Sequence, residues 1–218
     1  MAKLTFVVSD IHGRLDLLLE CLSAINTRAK SGEVIFTGDY VDRGPDSFGV
    51  IQRLIDGPAQ GWAWKFIRGN HEDFLIDAHN GCDPSCWIGN GGAETIASYG
   101  GECLTEHLEW VRSLPRILWD DLRVYTHAGV DEGRPLNEQN QAMTQWYRYP
   151  KGADVGYNGR HVVHGHTPQT NGPELYKNRT NLDTGGVFTG KMAIGVFDQT
   201  QGPPVDIIHV EIKGQNNG

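Results

Sequence analysis

The sequence predicts an α/β layered fold in one domain spanning residues 1–218, and three observations point to it. Short apolar runs alternate three times with stretches of helical apolar spacing in the first 80 residues. Each run stops abruptly at a loop of Gly, Asp, Asn and His. The second half is strand-rich, with turn residues between short apolar segments. A chain of 218 residues is long enough to bury a sizeable core.

The elements follow in order. Leu4 to Ser9 (LTFVVS) reads as a strand ending at Asp10-Ile11-His12-Gly13. Leu15, Leu18, Leu19, Leu22 and Ile25 recur at helical spacing, which predicts a helix from Leu15 to about Thr27. Glu33 to Thr37 (EVIFT) is short, apolar and rich in β-branched residues, so it reads as a buried strand, and Ser47 to Ile55 as the helix after it. Trp64 to Ile67 predicts a third strand, followed by a helix from Asp73 to His79. Residues 80–92, NGCDPSCWIGNGG, are rich in Gly and Asn and read as a loop. Helices are expected at Ala93–Tyr99 and Thr105–Ser113, so the block 80–115 reads as a helical insertion or cap rather than a second domain. Strands follow at Leu122–Thr126, His161–Val163, Leu175–Lys177, Thr180–Leu182, Met192–Phe197 and Val205–Glu211, and the tail Lys213–Gly218 is expected to fray.

Composition narrows the partners. Hydrophobic residues make up 39% and charged residues 21%, the balance of a globular chain. A formal charge of −8 disfavours non-specific nucleic-acid binding, which needs a basic footprint. No apolar run approaches the roughly 18 residues of a membrane span, and MAKLTFVVSD enters a strand without a secretory signal's apolar core. The expectation is a cytoplasmic protein, monomeric by default. Cys82 and Cys86 form a C-x3-C without two further close ligands, so Cys21, Cys82, Cys86 and Cys103 read as ordinary thiols.

The strand-ending loops carry the chemistry. They are D-x-H (Asp10, His12), G-D-x-x-D-R-G (Asp39, Asp42, Arg43), G-N-H-E (Asn70, His71, Glu72), H-A-G (His127) and G-H-T-P (His166). Open α/β sheets bind ligands at the carboxyl ends of their strands. Any one of these loops alone could be a solvated polar turn. Five together supply Asp, Asn and His donors suited to manganese, iron or zinc. Two metals roughly 3.5–4 Å apart need a bridging carboxylate, and Asp39 in the central loop is the natural bridge.

At this point the chain resembles the metallophosphoesterases, and within them the serine/threonine phosphoprotein phosphatases, including small bacterial and phage members. SDIHG, GDYVDRGPDS, RGNHE, THAGV, the W-x-R of Trp146 to Arg148, and VHGHTP carry the resemblance in family order over residues 9–168, and NRTNLDTGG at 178–186 resembles the closing segment. The resemblance implies a calcineurin-like sandwich of two mixed β-sheets flanked by helices. It implies two divalent metal ions, manganese first and iron or zinc as alternatives. Asp10, His12 and Asp39 would hold one ion, and Asp39, Asn70, His127 and His166 the other. His71 would protonate the leaving oxygen, oriented by Asp42, while Arg43 and Arg148, with Asn70, would hold the phosphate. A metal-bridging hydroxide would attack phosphorus directly, without a phosphoenzyme. The implied partner is a phosphorylated protein or peptide.

Other uses of these residues are weighed alongside. His71 also suits a ligand or structural role. Glu72 suits the start of a helix, and His164 an outer partner of the site. Trp87, in a Gly-rich loop, is a candidate for lining a cleft. Thr167-Pro168 stands where many metallophosphoesterases carry a further histidine, and Tyr149-Pro150 where the family often has an acid after the arginine. Three rival functions remain. A dinucleoside polyphosphate hydrolase would use the same loops but tends to lack the second acid, which Asp42 supplies. A phosphodiesterase or nuclease fits poorly with the acidic composition and the missing histidine. A catalytically silent binding module would not need every catalytic position, and all are present. Phosphotyrosine is a further possible substrate.

Overall fold

In a computed structural model that describes residues 4–212, the first strand, β1 (Thr5–Val8), is buried along its whole length. Side chains alternate across a strand, so a strand buried throughout must serve two cores. Phe6 and Val8 pack with Leu18, Leu22 and Val50 under the helices, whereas Val7 points the other way, to Ile35, Tyr125, Val163, Leu182 and Phe197. The second cluster draws on both sheets and is the filling between them.

The first sheet runs β10-β9-β1-β2-β3, with β2 at Gly32–Phe36, β3 at Trp62–Phe66, β9 at Lys191–Phe197 and β10 at Asp206–Glu211. β1, β2 and β3 are parallel, and β9 joins β1 antiparallel. The second sheet runs β4-β5-β6-β8-β7, with β4 at Ile117–Trp119, β5 at Arg123–Thr126, β6 at His161–His164, β7 at Glu174–Leu175 and β8 at Arg179–Asn181. β5, β6 and β8 are parallel, and β4 and β7 close the edges antiparallel. The expected sandwich of two mixed sheets with flanking helices is what the chain forms.

Helices α1 (Leu15–Arg28) and α2 (Ser47–Ile55) lie where their apolar spacing places them. Asp46 caps α2, accepting the Gly49 N–H at 2.8 Å. α3 (Asn70–His79) begins three residues before its expected start, because Glu72 turns back to accept the Gly69 N–H at 2.8 Å and caps it there. Residues 80–92 are not a plain loop. They hold a short turn, α4 (Ser85–Trp87), that widens into a π-helical turn at Ile88–Gly92. Burial of Trp87 outweighs the weak helix propensity of the glycines around it. α5 (Ala93–Tyr99) and α6 (Thr105–Ser113) keep their expected bounds and lie against α2, and Leu108 and Val111 enter the same core.

β4 and the short α7 (Gly186–Thr189) are additions that the sequence did not announce. β4 has three residues and is recognisable only through its pairing with β5. All four cysteines are free thiols. Among the described residues no helix is long and apolar enough to cross a membrane. The expected fraying of Lys213–Gly218 lies outside the described residues.

Candidate active site

Asp10 and His12 follow β1, Asp39, Asp42 and Arg43 follow β2, and Asn70 and His71 open α3 just after β3. His127 follows β5 and His166 follows β6, so the C-terminal ends of both parallel strand sets meet. Two hydrogen bonds tie the sheets together there: His127 Nδ1 donates to the Thr37 carbonyl at 2.9 Å, and the His166 N–H to Asp10 Oδ1 at 3.0 Å. Within the second sheet the Gly165 N–H donates to the His127 carbonyl at 2.9 Å and holds the β5 and β6 loops side by side.

The backbone makes an unusual concession to this convergence. Asp10, His12, Asp39, Asp42, Arg43 and His166 have φ of 46°, 47°, 55°, 72°, 69° and 67°, and Asn158 is the only other described non-glycine residue with positive φ. That region is sparsely used by residues with a Cβ, and clusters of it mark functional sites. Close approach adds a second demand. A Cβ on Gly165 would overlap the Asp10 carboxylate and the Ser9 hydroxyl, so only glycine lets the β6 loop pass this close to Asp10.

Glu72 secures the central loop. Its buried carboxylate accepts the backbone N–H groups of Asp39 at 2.8 Å, Tyr40 at 2.7 Å and Gly69 at 2.8 Å. Burial first, and the nearby Asp39 carboxylate second, push it up to about 7. Its role is structural, at one remove from the cleft. Glu72→Ala is expected to destabilise the protein by about 3 kcal/mol, since buried backbone donors lose a charged acceptor. Urea unfolding of chelator-treated protein measures this, and a loss below about 1 kcal/mol would contradict the role.

The donor atoms form two groups that share Asp39. His12, Asp39 and His71 make one, and Asp39, His127 and His166 the other, each with ligand atoms within 4.8 Å of one another. In the second group His127 Nδ1 donates to Thr37, which leaves Nε2 as the ring atom turned to the group. Nε2 faces Asn70 Oδ1 at 2.9 Å, His166 Nδ1 at 3.2 Å and Asp39 Oδ2 at 3.4 Å. Acceptors this close repel unless a positive charge lies among them; a proton on Nε2 supplies it, and a divalent cation replacing that proton would take the same donors. In the first group His12 Nδ1 donates to the Val41 carbonyl at 2.9 Å, leaving Nε2 free at 3.5 Å from Asp39 Oδ2. Asp10 stands beside these groups, engaged by Ser9 and the His166 N–H, and His71 Nε2 comes within 3.9 Å of Asp39 Oδ2.

The electrostatics agree with the donor count. Burial lowers His12 to about 3, and burial with the neighbouring His127 lowers His166 to about 3, so both rings are neutral donors. Burial opposes charge on Asp39 as well, yet His127, His71 and His12 hold its carboxyl well below the usual range. Burial opposes charge on His127 too, but the Asp39 and Asp10 carboxylates raise it to about 10. Asp10 is pushed well up, first by burial and then by Asp183 and Asp39. The site is a place where positive charge is strongly favoured.

His71 is paired with the second acid of the central loop. Its Nδ1 donates to Asp42 Oδ2 at 2.7 Å, and Nε2 faces the cleft, where an Arg43 Nη donates to it at 2.9 Å. The other Arg43 Nη donates to His12 Nε2 at 2.7 Å. The cleft, of about 260 Å³, is lined by Asp39, Arg43, Asn70, His71, Arg148 and His166, with Asn90, Trp146, Pro168 and Phe188 at its rim. Arg148 is exposed there, ready for a ligand. His164 is buried outside the cleft, its Nε2 accepting from Arg179 at 2.8 Å.

Sequence reasoning missed several groups around the cleft. Trp87 does not line it; its indole lies behind Asp42. Asp183 follows β8, and burial, with Asp39 beside it, raises its carboxyl to about 6. Its position in NLDTGG, at yet another strand end, was the available signal. Phe188, 69% exposed on α7, forms part of the rim and had no sequence signal.

The family model for calcineurin-like phosphoesterases matches residues 4–170. Serine/threonine-protein phosphatase 1 of Salmonella typhimurium is 27% identical over 208 residues, covering 87% of this chain and 89% of that protein. The asymmetrical bis(5'-nucleosyl)-tetraphosphatase PrpE of Halalkalibacterium halodurans is 26% identical over 227 residues, covering 89% and 90%. A crystal structure provisionally described as a diadenosine tetraphosphatase superposes with a TM-score of 0.72 at 22% identity, covering 98% of this chain and 96% of the other.

Proposed function

The chain belongs to the calcineurin-like phosphoesterases, and from that premise we propose that it is a metal-dependent phosphomonoesterase acting on phosphoserine or phosphothreonine in proteins or peptides. Asp10, His12 and Asp39 would hold one divalent ion, and Asp39, Asn70, His127 and His166 a second. The nitrogen and oxygen donors suit manganese, iron or zinc, and manganese is taken first. When bound, the ions supply Lewis acidity and an activated water.

The chain's own residues do the rest. Arg43 and Arg148 converge on the cleft and present guanidinium groups to the phosphoryl oxygens, where charge grows in the transition state. Asp42 fixes the His71 ring through Nδ1, which aims Nε2 into the cleft. A proton on Nε2 passes to the serine or threonine oxygen as the P–O bond breaks. The products are inorganic phosphate and the free hydroxyl.

The Asp42–His71 contact at 2.7 Å is the observation that carries this reading over its rival. An alkoxide is a poor leaving group and needs a proton, whereas a nucleotide phosphate leaves well without one. The likeness to a tetraphosphatase supports a second reading, hydrolysis of dinucleoside polyphosphates on the same site. A phosphoserine peptide, a phosphotyrosine peptide and diadenosine tetraphosphate, assayed side by side on chelated and manganese-reloaded protein, separate them. Metal-dependent phosphate release from phosphoserine is the expected result. Turnover of the dinucleotide alone would replace this reading with the second.

A further inference from the structure

Asp42 is held by more than its histidine. The indole N–H of Trp87 reaches both carboxylate oxygens, at 2.9 Å to Oδ1 and 3.0 Å to Oδ2. The Thr95 hydroxyl donates to Oδ1 at 2.7 Å. The Asp42 N–H in turn donates to Thr95 Oγ1 at 2.9 Å and Ser47 Oγ at 3.1 Å. All of these groups are buried, Trp87 to 8% exposure. Trp87 and Thr95 both belong to the helical block after α3, which carries none of the candidate metal ligands. The block is keyed to the central loop at a second point, where the Arg43 N–H donates to the Gly91 carbonyl at 3.0 Å. Gly92 completes the fit, since a Cβ there would lie 2.5 Å from the Trp87 ring.

A carboxylate on a single bond can rotate, and a lone contact to His71 would leave its plane undetermined. Donors on two other sides fix that plane and leave one direction of Oδ2 for the imidazole. We propose that Trp87, with Thr95, is a positioning residue for the reaction, orienting Asp42 so that the His71 ring aims Nε2 at the leaving oxygen. This rests on the reading of His71 as the general acid. The helical block then has a catalytic task of its own, although it carries none of the candidate metal ligands.

Trp87→Phe keeps the ring and removes the N–H. On manganese-loaded protein, kcat for a phosphoserine peptide is expected to fall roughly tenfold with KM little changed, because misaligned proton transfer costs part of what a general acid contributes. Turnover of p-nitrophenyl phosphate, whose leaving group needs no proton, should stay near the wild-type value. Bound metal and the thermal midpoint should also hold. Thr95→Val should lower the same substrate ratio, and Thr95→Ser, which keeps the hydroxyl, should restore it. In a His71→Asn background, adding Trp87→Phe should cost nothing more. Equal losses on both substrates, or losses that multiply with His71→Asn, would overturn the role of Trp87 and leave the general acid standing. If His71→Asn itself slowed both substrates alike, the general-acid reading would fall and this one with it.

Discussion

Asp39→Asn is expected to lose bound metal and turnover together. Asp39 is the one residue common to both donor groups, and its Oδ2 lies 3.5 Å from His12 Nε2 and 3.4 Å from His127 Nε2. An amide is a weaker, neutral donor and cannot balance two divalent charges. Removal of an outer partner of a metal ligand already costs about 10–100-fold in affinity, so loss of the shared carboxylate should cost at least about 100-fold. The change also removes the larger of the two carboxylate influences that raise His127, leaving Asp10 as the other. Elemental analysis after dialysis, with circular dichroism to check the fold, reads the result. A folded variant that retains its full metal content would show that Asp39 is not the bridge.

His71→Asn should behave in the opposite way. Turnover of phosphoserine is expected to fall by roughly 10²–10⁴-fold, the usual contribution of a positioned acid, while metal content stays near wild type. The geometry allows a clear alternative, because His71 Nε2 also falls within the first donor group, 3.9 Å from Asp39 Oδ2. If the variant emptied the site, His71 would be a ligand and the acid would have to be sought elsewhere. The two substitutions therefore form a pair: one separates metal from activity, and the other does not.

Much of the fold was legible because strand ends and ligands coincide. β1, β2, β5 and β6 each lead straight into a loop whose Asp or His types are hard to explain as ordinary turns. Apolar spacing fixed α2, α5 and α6 at their expected bounds. The start of α3 was misjudged because Asn70, His71 and Glu72 look like loop chemistry, yet they form the first helical turn, capped by Glu72. Residues 80–92 were misjudged for a different reason. Their glycines say loop, but a tryptophan 45 positions from Asp42 in the chain decides their conformation through a contact no local pattern reveals. Thr95, and the contact of Trp87 with Asp42 in place of the cleft-lining role expected of it, became visible only when the helical block was seen folded against the central loop.

The left-handed backbone at six site residues reaches beyond catalysis. Each such residue carries a strain on the order of 1 kcal/mol that glycine would largely relieve. Arg43 is the most telling position, since it follows Asp42 in the same conformation and is only partly buried. Heat resistance and turnover thus exert opposite selection on the Arg43 codon, whereas at Asp42 the buried Trp87, Thr95 and His71 donors that the carboxylate satisfies outweigh the relief. A population of variants enriched solely for survival on heating would drift toward glycine at Arg43, and its members would grow hardier as their chemistry decayed.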